Sequence, residues 1–362
     1  MRILYFIPHL SGGGAERQLS YLAPELVRMG HDVHIAYTHT GSVEPELSNV
    51  KLHQLKSRSN YDPFLIWQIL RLIRHIKPDI IQTWILQMDI LGGLAARLSG
   101  IPWILREPSS HLHYPPNLKN KLRVWVCKSA TAIVSNSQGG DEYWKEQLPR
   151  IRRFIITNGL PISQIERTKS AQPMELLKLE KPIVLYVGRL ASNAGGSKNI
   201  VTLLKALAFV NLHQDVIGVI CGEGSQRKEL ELICQELGIG SNVYLTGHLK
   251  ADSVWGLMKK ASVFVSLSAY EGCPNTVMEA VVCCCPLVLS DIQAHHELLD
   301  NSMAYFVDPL DIQQIADTII KLLGNLNDSK DRAFVAKQKT KDWTTNEMAC
   351  KYINVYNELI IY

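Results

Sequence analysis

Two glutamates separated by seven residues, Glu271 and Glu279, bracket the stretch of this chain best suited to chemistry. They fall in 261–291, which reads as strand, loop, helix, strand. Ala261–Ser268 is an apolar β-rich run, Glu271, Gly272 and Pro274 make a loop, and Asn275 is suited to cap a helix beginning at Thr276. One carboxylate then sits beyond the carboxyl end of a parallel strand, and the other lies one turn into the next helix. Open α/β sheets bind ligands at such a place. A helix start offers N–H groups to a phosphate, and carboxylates on either side accept hydrogen bonds from sugar hydroxyls. A surface loop plus an exposed helix glutamate is the plainer account of any two glutamates so spaced. The whole segment, rather than the pair, favours a site.

Such residues need sheets to hold them. The first half alternates strands (Arg2–Ile7, Val33–Tyr37, Ile80–Thr83, Trp103–Leu105, Ala132–Ser135, Ile155–Thr157) with helices (Glu16–Met29, Phe64–Ile76, Ile90–Leu98). Pro161–Lys181 is less regular and reads as a linker. A second run follows, with strands at Ile183–Val187, Val216–Cys221 and Val243–Leu245 and helices at Ile200–Phe209, Gln226–Leu237 and Ser253–Lys260. Strands alternating with helices imply parallel sheets covered on both faces, here two Rossmann-like domains of an α/β protein. The expected division is 1–160, linker 161–181 and 182–342.

At 362 residues the chain is long for one core and ample for two, and 46% hydrophobic residues with mean hydropathy near zero indicate a globular protein. Leu4–Ile7 is too short for a signal peptide, and Ala280–Leu289 is too short to span a bilayer. The eight cysteines show no paired metal spacing, and three of them, Cys283 to Cys285, are consecutive. Adjacent cysteines make poor disulfides, which favours a reducing, cytoplasmic setting. Residues 1–165 carry 19 Lys and Arg against 12 Asp and Glu, and the remainder carries 19 against 22. Lys119, Lys121, Arg123 and Lys128 gather around Leu122, Val124, Trp125 and Val126, with a second cluster at Arg150, Arg152 and Arg153. A solvated basic face accounts for them, as does attraction to anionic lipid headgroups, worth about 1 kcal/mol per basic residue. No module for nucleic acid accompanies the charge.

The chain resembles the retaining GT-B glycosyltransferases of family 4 over nearly its whole length. Its opening, through Gly13-Gly-Ala-Glu-Arg17, is similar to the subgroup that carries that signature. Val134-Ser-Asn-Ser-Gln-Gly-Gly140, Ile156-Thr-Asn-Gly-Leu-Pro-Ile162, Leu185-Tyr-Val-Gly-Arg-Leu190, Lys198-Asn-Ile200, Gly222-Glu-Gly-Ser225 and Leu245-Thr-Gly-His248 follow as further landmarks in order. The resemblance implies a GT-B fold in which a helix after Trp343 returns to the first domain. It also implies transfer of a sugar from a nucleotide-sugar donor, with no metal and no other cofactor. The donor is UDP-linked by this likeness, with an N-acetylhexosamine suggested by the subgroup, and the acceptor is lipid-linked or a saccharide. The setting would be cell-surface polysaccharide assembly at the cytoplasmic face of the membrane, with peripheral contact to its anionic surface.

Residue by residue, the resemblance gives Arg189 and Lys198 the donor diphosphate, where fixed cations stabilise the departing charge. Ala194-Gly-Gly-Ser lengthens the loop before Lys198 relative to the family. Glu271 matches the acid that contacts donor-sugar hydroxyls, and Glu279 matches the ribose-binding carboxylate. Asn275, Thr276 and Val277 would bring backbone N–H groups to the phosphates. Gly222, Gly224 and Gly247 would border the base. Gly13 and Gly14 would let the backbone approach the donor closely; they lack the further glycine and acid of a dinucleotide fingerprint. Arg106, Glu107, His111 and His113 occupy the place where many relatives carry an acceptor-side histidine. A nucleotide-sugar epimerase of the same architecture and a silent nucleotide-sugar-binding subunit are the competing readings.

Overall fold

The apolar runs become the parallel strands of two separate sheets in the structure, a computed structural model that describes residues 1–10, 13–40, 47–57, 62, 64–110, 114–170, 181–191 and 198–360. The chain divides into two compact units. One comprises Met1–Leu160 with Trp343–Tyr362, and the other Pro161–Asp342.

In the first unit, β1 (Arg2–Phe6), β3 (Asp32–Tyr37), β5 (Lys51–Gln54), β6 (Ile80–Trp84), β7 (Trp103–Glu107), β8 (Ala132–Ser135) and β9 (Arg152–Ile155) form one sheet. Its order is β5-β3-β1-β6-β7-β8-β9, and a short pair, β2 (His9–Leu10) with β4 (His39–Thr40), stands apart. Helices Gly14–Arg28 and Thr345–Ile360 cover one face, while Phe64–Ile76, Ile85–Ser99, Leu118–Cys127 and Gln138–Gln147 cover the other. Both faces being dry, β1, β6, β7 and β8 read as near-continuous apolar runs instead of alternating ones. Leu19, Leu22, Ala23 and Leu26 recur at helical spacing and are fully buried. Each such leucine is worth roughly 1.5–3 kcal/mol.

The carboxyl-terminal helix Thr345–Ile360 packs beside Gly14–Arg28, and the Thr345 hydroxyl donates to Glu25 (2.7 Å). Buried Tyr356 hydrogen-bonds Tyr5 (2.9 Å) and donates to Gln82 Oε1 (2.6 Å), tying that helix to β1 and β6.

In the second unit, β10 (Ile183–Val187), β11 (Ile217–Cys221), β12 (Val243–Gly247), β13 (Val263–Ser266), β14 (Leu287–Ser290) and β15 (Tyr305–Val307) are ordered β12-β11-β10-β13-β14-β15, all parallel. Among the described residues no helix is long and apolar enough to cross a membrane.

Three sequence expectations shift. The last strand of the first sheet is Arg152–Ile155, three residues before the apolar stretch that suggested it, because pairing with β8 fixes its register. The segment read as a linker opens with helix Ile162–Arg167, which belongs to the second unit, and 171–180 lie outside the described residues. The basic clusters are partly consumed by the fold. Arg123 is buried, Arg152 pairs with Glu358 and Arg153 with Asp141.

Candidate functional site

The strand order of the second sheet reverses between β10 and β13, which pair as neighbours while their onward connections run to opposite sides. At such a reversal the loops beyond the carboxyl ends part and leave a crevice. Arg189 follows β10 by two residues, Lys198 lies in the same connection, and Glu271 lies in the loop after β13. Three of the residues singled out from sequence thus lie in the loops where the topology of this sheet opens.

Backbone bonds between three loops fix Arg189. Gly188 N–H donates to the Cys221 carbonyl (2.9 Å), Leu190 N–H to the Glu223 carbonyl (2.9 Å), and Gly222 N–H to the Gly247 carbonyl (3.0 Å). The residue between the first two is therefore gripped on both sides, and its side chain is exposed. This stitching needs glycine. Gly222 has φ +146°, and a Cβ there would stand 1.8 Å from the Gly188 carbonyl oxygen. At Gly224 a Cβ would stand 1.9 Å from the Leu190 oxygen. Both atoms are backbone and cannot step aside. Gly222 and Gly224 thus hold the arginine loop in place, a role additional to the border of the base expected for them. Gly247 adopts φ +76°, in the left-handed region.

Lys198 and Glu271 form an ion pair. The Ser268 hydroxyl donates to Glu271 Oε1 (2.7 Å), and Lys198 Nζ lies 3.4 Å from the same hydroxyl. Burial pushes the Glu271 carboxyl up. The Lys198 ammonium, the Ser268 hydrogen bond and His295 outweigh it and hold the group below its ordinary value. Asn199, left-handed at φ +49°, donates from Nδ2 to the Leu267 carbonyl (2.8 Å) and so anchors Lys198 against the end of β13.

Beyond the pair, Ser268, Ser290 and His295 form a buried hydrogen-bonded chain. The Ser290 hydroxyl at the end of β14 donates to the Ser268 carbonyl (2.6 Å), and His295 Nδ1 lies 2.9 Å from the Ser290 carbonyl. That contact assigns the His295 proton to Nδ1, and burial keeps the ring neutral by lowering its pKa. Tyr186, also buried, is the last residue but one of β10 and has its hydroxyl beside Gly188, where a Cβ would come within 2.5 Å. Its pKa is raised by burial and by the Glu271 charge, which places both groups in one neighbourhood.

The helix after the Glu271 loop is Asn275–Val282, one residue earlier than expected. Its N-cap is Pro274 without a side-chain cap bond, so Asn275 is the first helical residue and not the cap. Met278 N–H bonds back to the Pro274 carbonyl (3.1 Å), and the Thr276 and Val277 amides precede the helix's own ladder. Glu279 is fully buried in the second turn.

The first unit treats its candidates differently. Gly13 is the N-cap of helix Gly14–Arg28, and a Cβ on it would meet Glu16 Oε2 at 2.2 Å, so that glycine lets the glutamate fold back. Gln18 exchanges two bonds with Gly159 (3.0 Å each), joining the opening signature to the Thr-Asn-Gly landmark. Arg106 and Glu107 end β7 but are 1% and 0% exposed. Arg106 donates to the Glu107 carbonyl and to Asn158 Oδ1 (2.7 Å each) and lies over Trp84. Glu107 accepts from Ser109 N–H, Tyr114 and Trp144 and pairs with Arg123 (3.0 Å). Arg123 also pairs with Asp89 (2.8 Å), whose pKa burial raises against that attraction. Arg106 and Glu107 are thus buried at the carboxyl end of β7, each held by internal partners. His111 and His113 lie outside the described residues.

Residues 12–164 match the family model described as Glycosyltransferase Family 4, and 168–341 match Glycosyl transferases group 1. The chain is 26% identical, over 99% of both chains, to a Campylobacter jejuni enzyme named as an alpha-1,4-N-acetyl-D-galactosaminyltransferase acting on a diphosphoundecaprenol-linked GalNAc saccharide. It is 24% identical to the Escherichia coli UDP-Gal:alpha-D-GlcNAc-diphosphoundecaprenol alpha-1,3-galactosyltransferase, over 72% of this chain and 69% of that one. Among solved structures, Anabaena HepE in complex with UDP-glucose superposes with a TM-score of 0.83 at 19% identity, covering 99% of this chain and 100% of that one.

Proposed function

We propose, from the premise that this chain belongs to the glycosyltransferases with the GT-B fold, that it moves a sugar from a UDP-linked donor onto a lipid-linked saccharide, keeping the configuration of the sugar. The observation that carries the reading is the Lys198–Glu271 pair, set with Arg189 at the β10/β13 reversal. An acid and a cation that satisfy each other there can exchange that contact for a ligand bearing both hydroxyls and phosphates. Sugar hydroxyls donate to Glu271, and the diphosphate accepts from Lys198, Arg189 and the amides of Thr276 and Val277. Glu279 takes the ribose.

As the bond from the anomeric carbon to the diphosphate oxygen breaks, negative charge grows on that oxygen. Arg189 is held by backbone on both sides and needs no reorganisation to meet it. The acceptor hydroxyl attacks the same face of the sugar. Its oxygen bonds the anomeric carbon, and its proton passes to the leaving phosphate oxygen. The printed substrates of the C. jejuni and E. coli relatives, saccharides on diphosphoundecaprenol, support a lipid-linked acceptor, and UDP-Gal supports a uridine donor.

The test is release of UDP from a panel of UDP-sugars, with and without a lipid extract containing diphosphoundecaprenol-linked saccharides. Release that requires the extract, with sugar appearing in the lipid fraction, is the expected result. Conversion of the donor without acceptor would mark an epimerase, and UDP binding with no turnover would mark a silent subunit.

A further inference from the structure

Arg227 is the first residue of helix Arg227–Glu236, which follows β11. Its guanidinium donates in three directions. Nε donates to Glu231 Oε1 (2.9 Å) within the helix, Nη1 to Glu223 Oε1 (2.8 Å) in the turn before it, and Nη2 to the Leu245 carbonyl (2.8 Å) of β12. A single side chain thus joins a helix, a turn and a strand. The planar fork of arginine suits that task, whereas a lysine ammonium is one point on a flexible stem.

By itself this would be a partly exposed helix ion pair of little consequence. Its surroundings give it more. The Glu223–Arg227 pair lies flush against Gly247, where a Cβ would stand 2.7 Å from Glu223 Oε1 and 3.3 Å from Arg227 Nη1. The carbonyl of that same Gly247 accepts the Gly222 N–H. The turn held in this way also holds Leu190 by both of its backbone groups. Leu190 N–H donates to the Glu223 carbonyl, and the Leu190 carbonyl accepts from Gln226 N–H (2.9 Å each). Leu190 is the chain neighbour of Arg189. A continuous path of bonds therefore runs from the end of β12 through Arg227 and residues 223–226 to the backbone beside Arg189.

We infer that Arg227 is a positioning residue for Arg189, clamping the turn 223–226 to β12 so that the Arg189 loop is rigid before the donor arrives. The inference rests on the transfer proposed above, in which Arg189 meets the charge of the departing diphosphate. Arg227 acts through the loop and not on the donor. Its guanidinium faces two carboxylates, Glu223 and Glu231, so the group has no net positive charge to offer a phosphate. A displacement of about 1 Å at the reacting groups can cost up to ~10²-fold in rate, and a clamp of this kind acts on that scale.

The test is a double-mutant cycle on turnover with UDP-sugar and lipid-linked acceptor, using wild type, Arg227→Ala, Arg189→Ala and the double variant. Arg227→Ala is expected to lower kcat roughly tenfold when Arg189 is present and less than about twofold when it is absent, because coupled residues are not additive. Arg227→Lys should lose about as much as Arg227→Ala, since it keeps the charge but not the fork. Lys228→Ala removes the exposed cation next along the helix and should leave kcat unchanged. Should Arg227→Ala fail to fold, Arg227→Lys carries the same cycle. Equal losses in both backgrounds, recovery of kcat by Arg227→Lys, or wild-type kcat in Arg227→Ala overturns the inference alone. Wild-type turnover of Arg189→Ala would overturn the donor reading and this inference with it.

Discussion

At the edge of the second sheet, Lys198 and Glu271 keep 30% and 19% of their side-chain surface open, and Arg189 is exposed. Around β7 of the first sheet, Asp89, Glu107 and Arg123 keep 1% or less. Both groups set acids against bases at hydrogen-bond distance, and both follow strands of parallel sheets. The difference lies in what else each charge touches. Arg123 is enclosed by two carboxylates and by the Tyr114 and Trp144 rings at 4.6 and 5.0 Å. Taking it elsewhere would leave two buried anions. The Lys198–Glu271 pair has an open side, so a ligand can replace its internal bonds without leaving a charge stranded. Ion pairing alone therefore marks neither a site nor a structural clamp; the remaining neighbours decide.

The contrast breaks most easily at Arg123. Arg123→Ala should lower stability by about 3–5 kcal/mol in urea unfolding, because Asp89 and Glu107 would stay buried without their cation. Lys198→Ala should shift the same measurement by about 1 kcal/mol or less. Equal losses in the two variants would erase the distinction.

A smaller effect is expected at Glu279. Glu279→Gln keeps the volume of a fully buried side chain but removes its charge. It should weaken UDP binding by about 1–3 kcal/mol in calorimetry. Unchanged affinity would remove Glu279 from the ribose.

The pH dependence sharpens the reading of Glu271. Its folded pKa lies below its ordinary value of 4.5, so its charged form stabilises the fold above that pH. The contribution is lost as pH falls through the lower, folded value. Wild type should therefore exceed Glu271→Gln in urea midpoint near neutrality, and the gap should narrow as pH falls below the ordinary carboxyl value of 4.5. A gap that stays constant into acid would mean the carboxylate is not held by Lys198 and Ser268.

The smallest change concerns Cys284, which adopts φ +57° just after helix Asn275–Val282. Cys284→Gly should raise the midpoint by about 0.5–1 kcal/mol of stability, since glycine enters the left-handed region without strain.

These differences also show what the sequence could disclose. The unit from β13 to helix Asn275–Val282 was legible because apolar run, loop residues and helix follow one another within some twenty positions, and local chemistry decides each. Arg189 was legible for the same reason, being two residues beyond a buried strand. The contacts of His295 with Ser290 and of Tyr186 with Gly188 were not, since they depend on how strands are ordered. The cap was misplaced because Pro274 sets the backbone at the helix start before Asn275 can act. Arg123 misled for a further reason. In a run of lysines and arginines, composition does not say which positions turn inward, and here Arg123 turns in together with Val126 and Cys127. Leu118, Leu122 and Trp125 of the same helix face out.

The claim that a sugar leaves its diphosphate against positive charge at the β10/β13 reversal is tested most directly by the turnover of Arg189→Ala with UDP-sugar and lipid-linked acceptor. Arg189 is exposed, so its loss should leave the unfolding midpoint near that of wild type. The account predicts a turnover lower by roughly 10²-fold or more, from lost charge stabilisation in the transition state. Turnover close to that of wild type in a stably folded Arg189→Ala variant would contradict it.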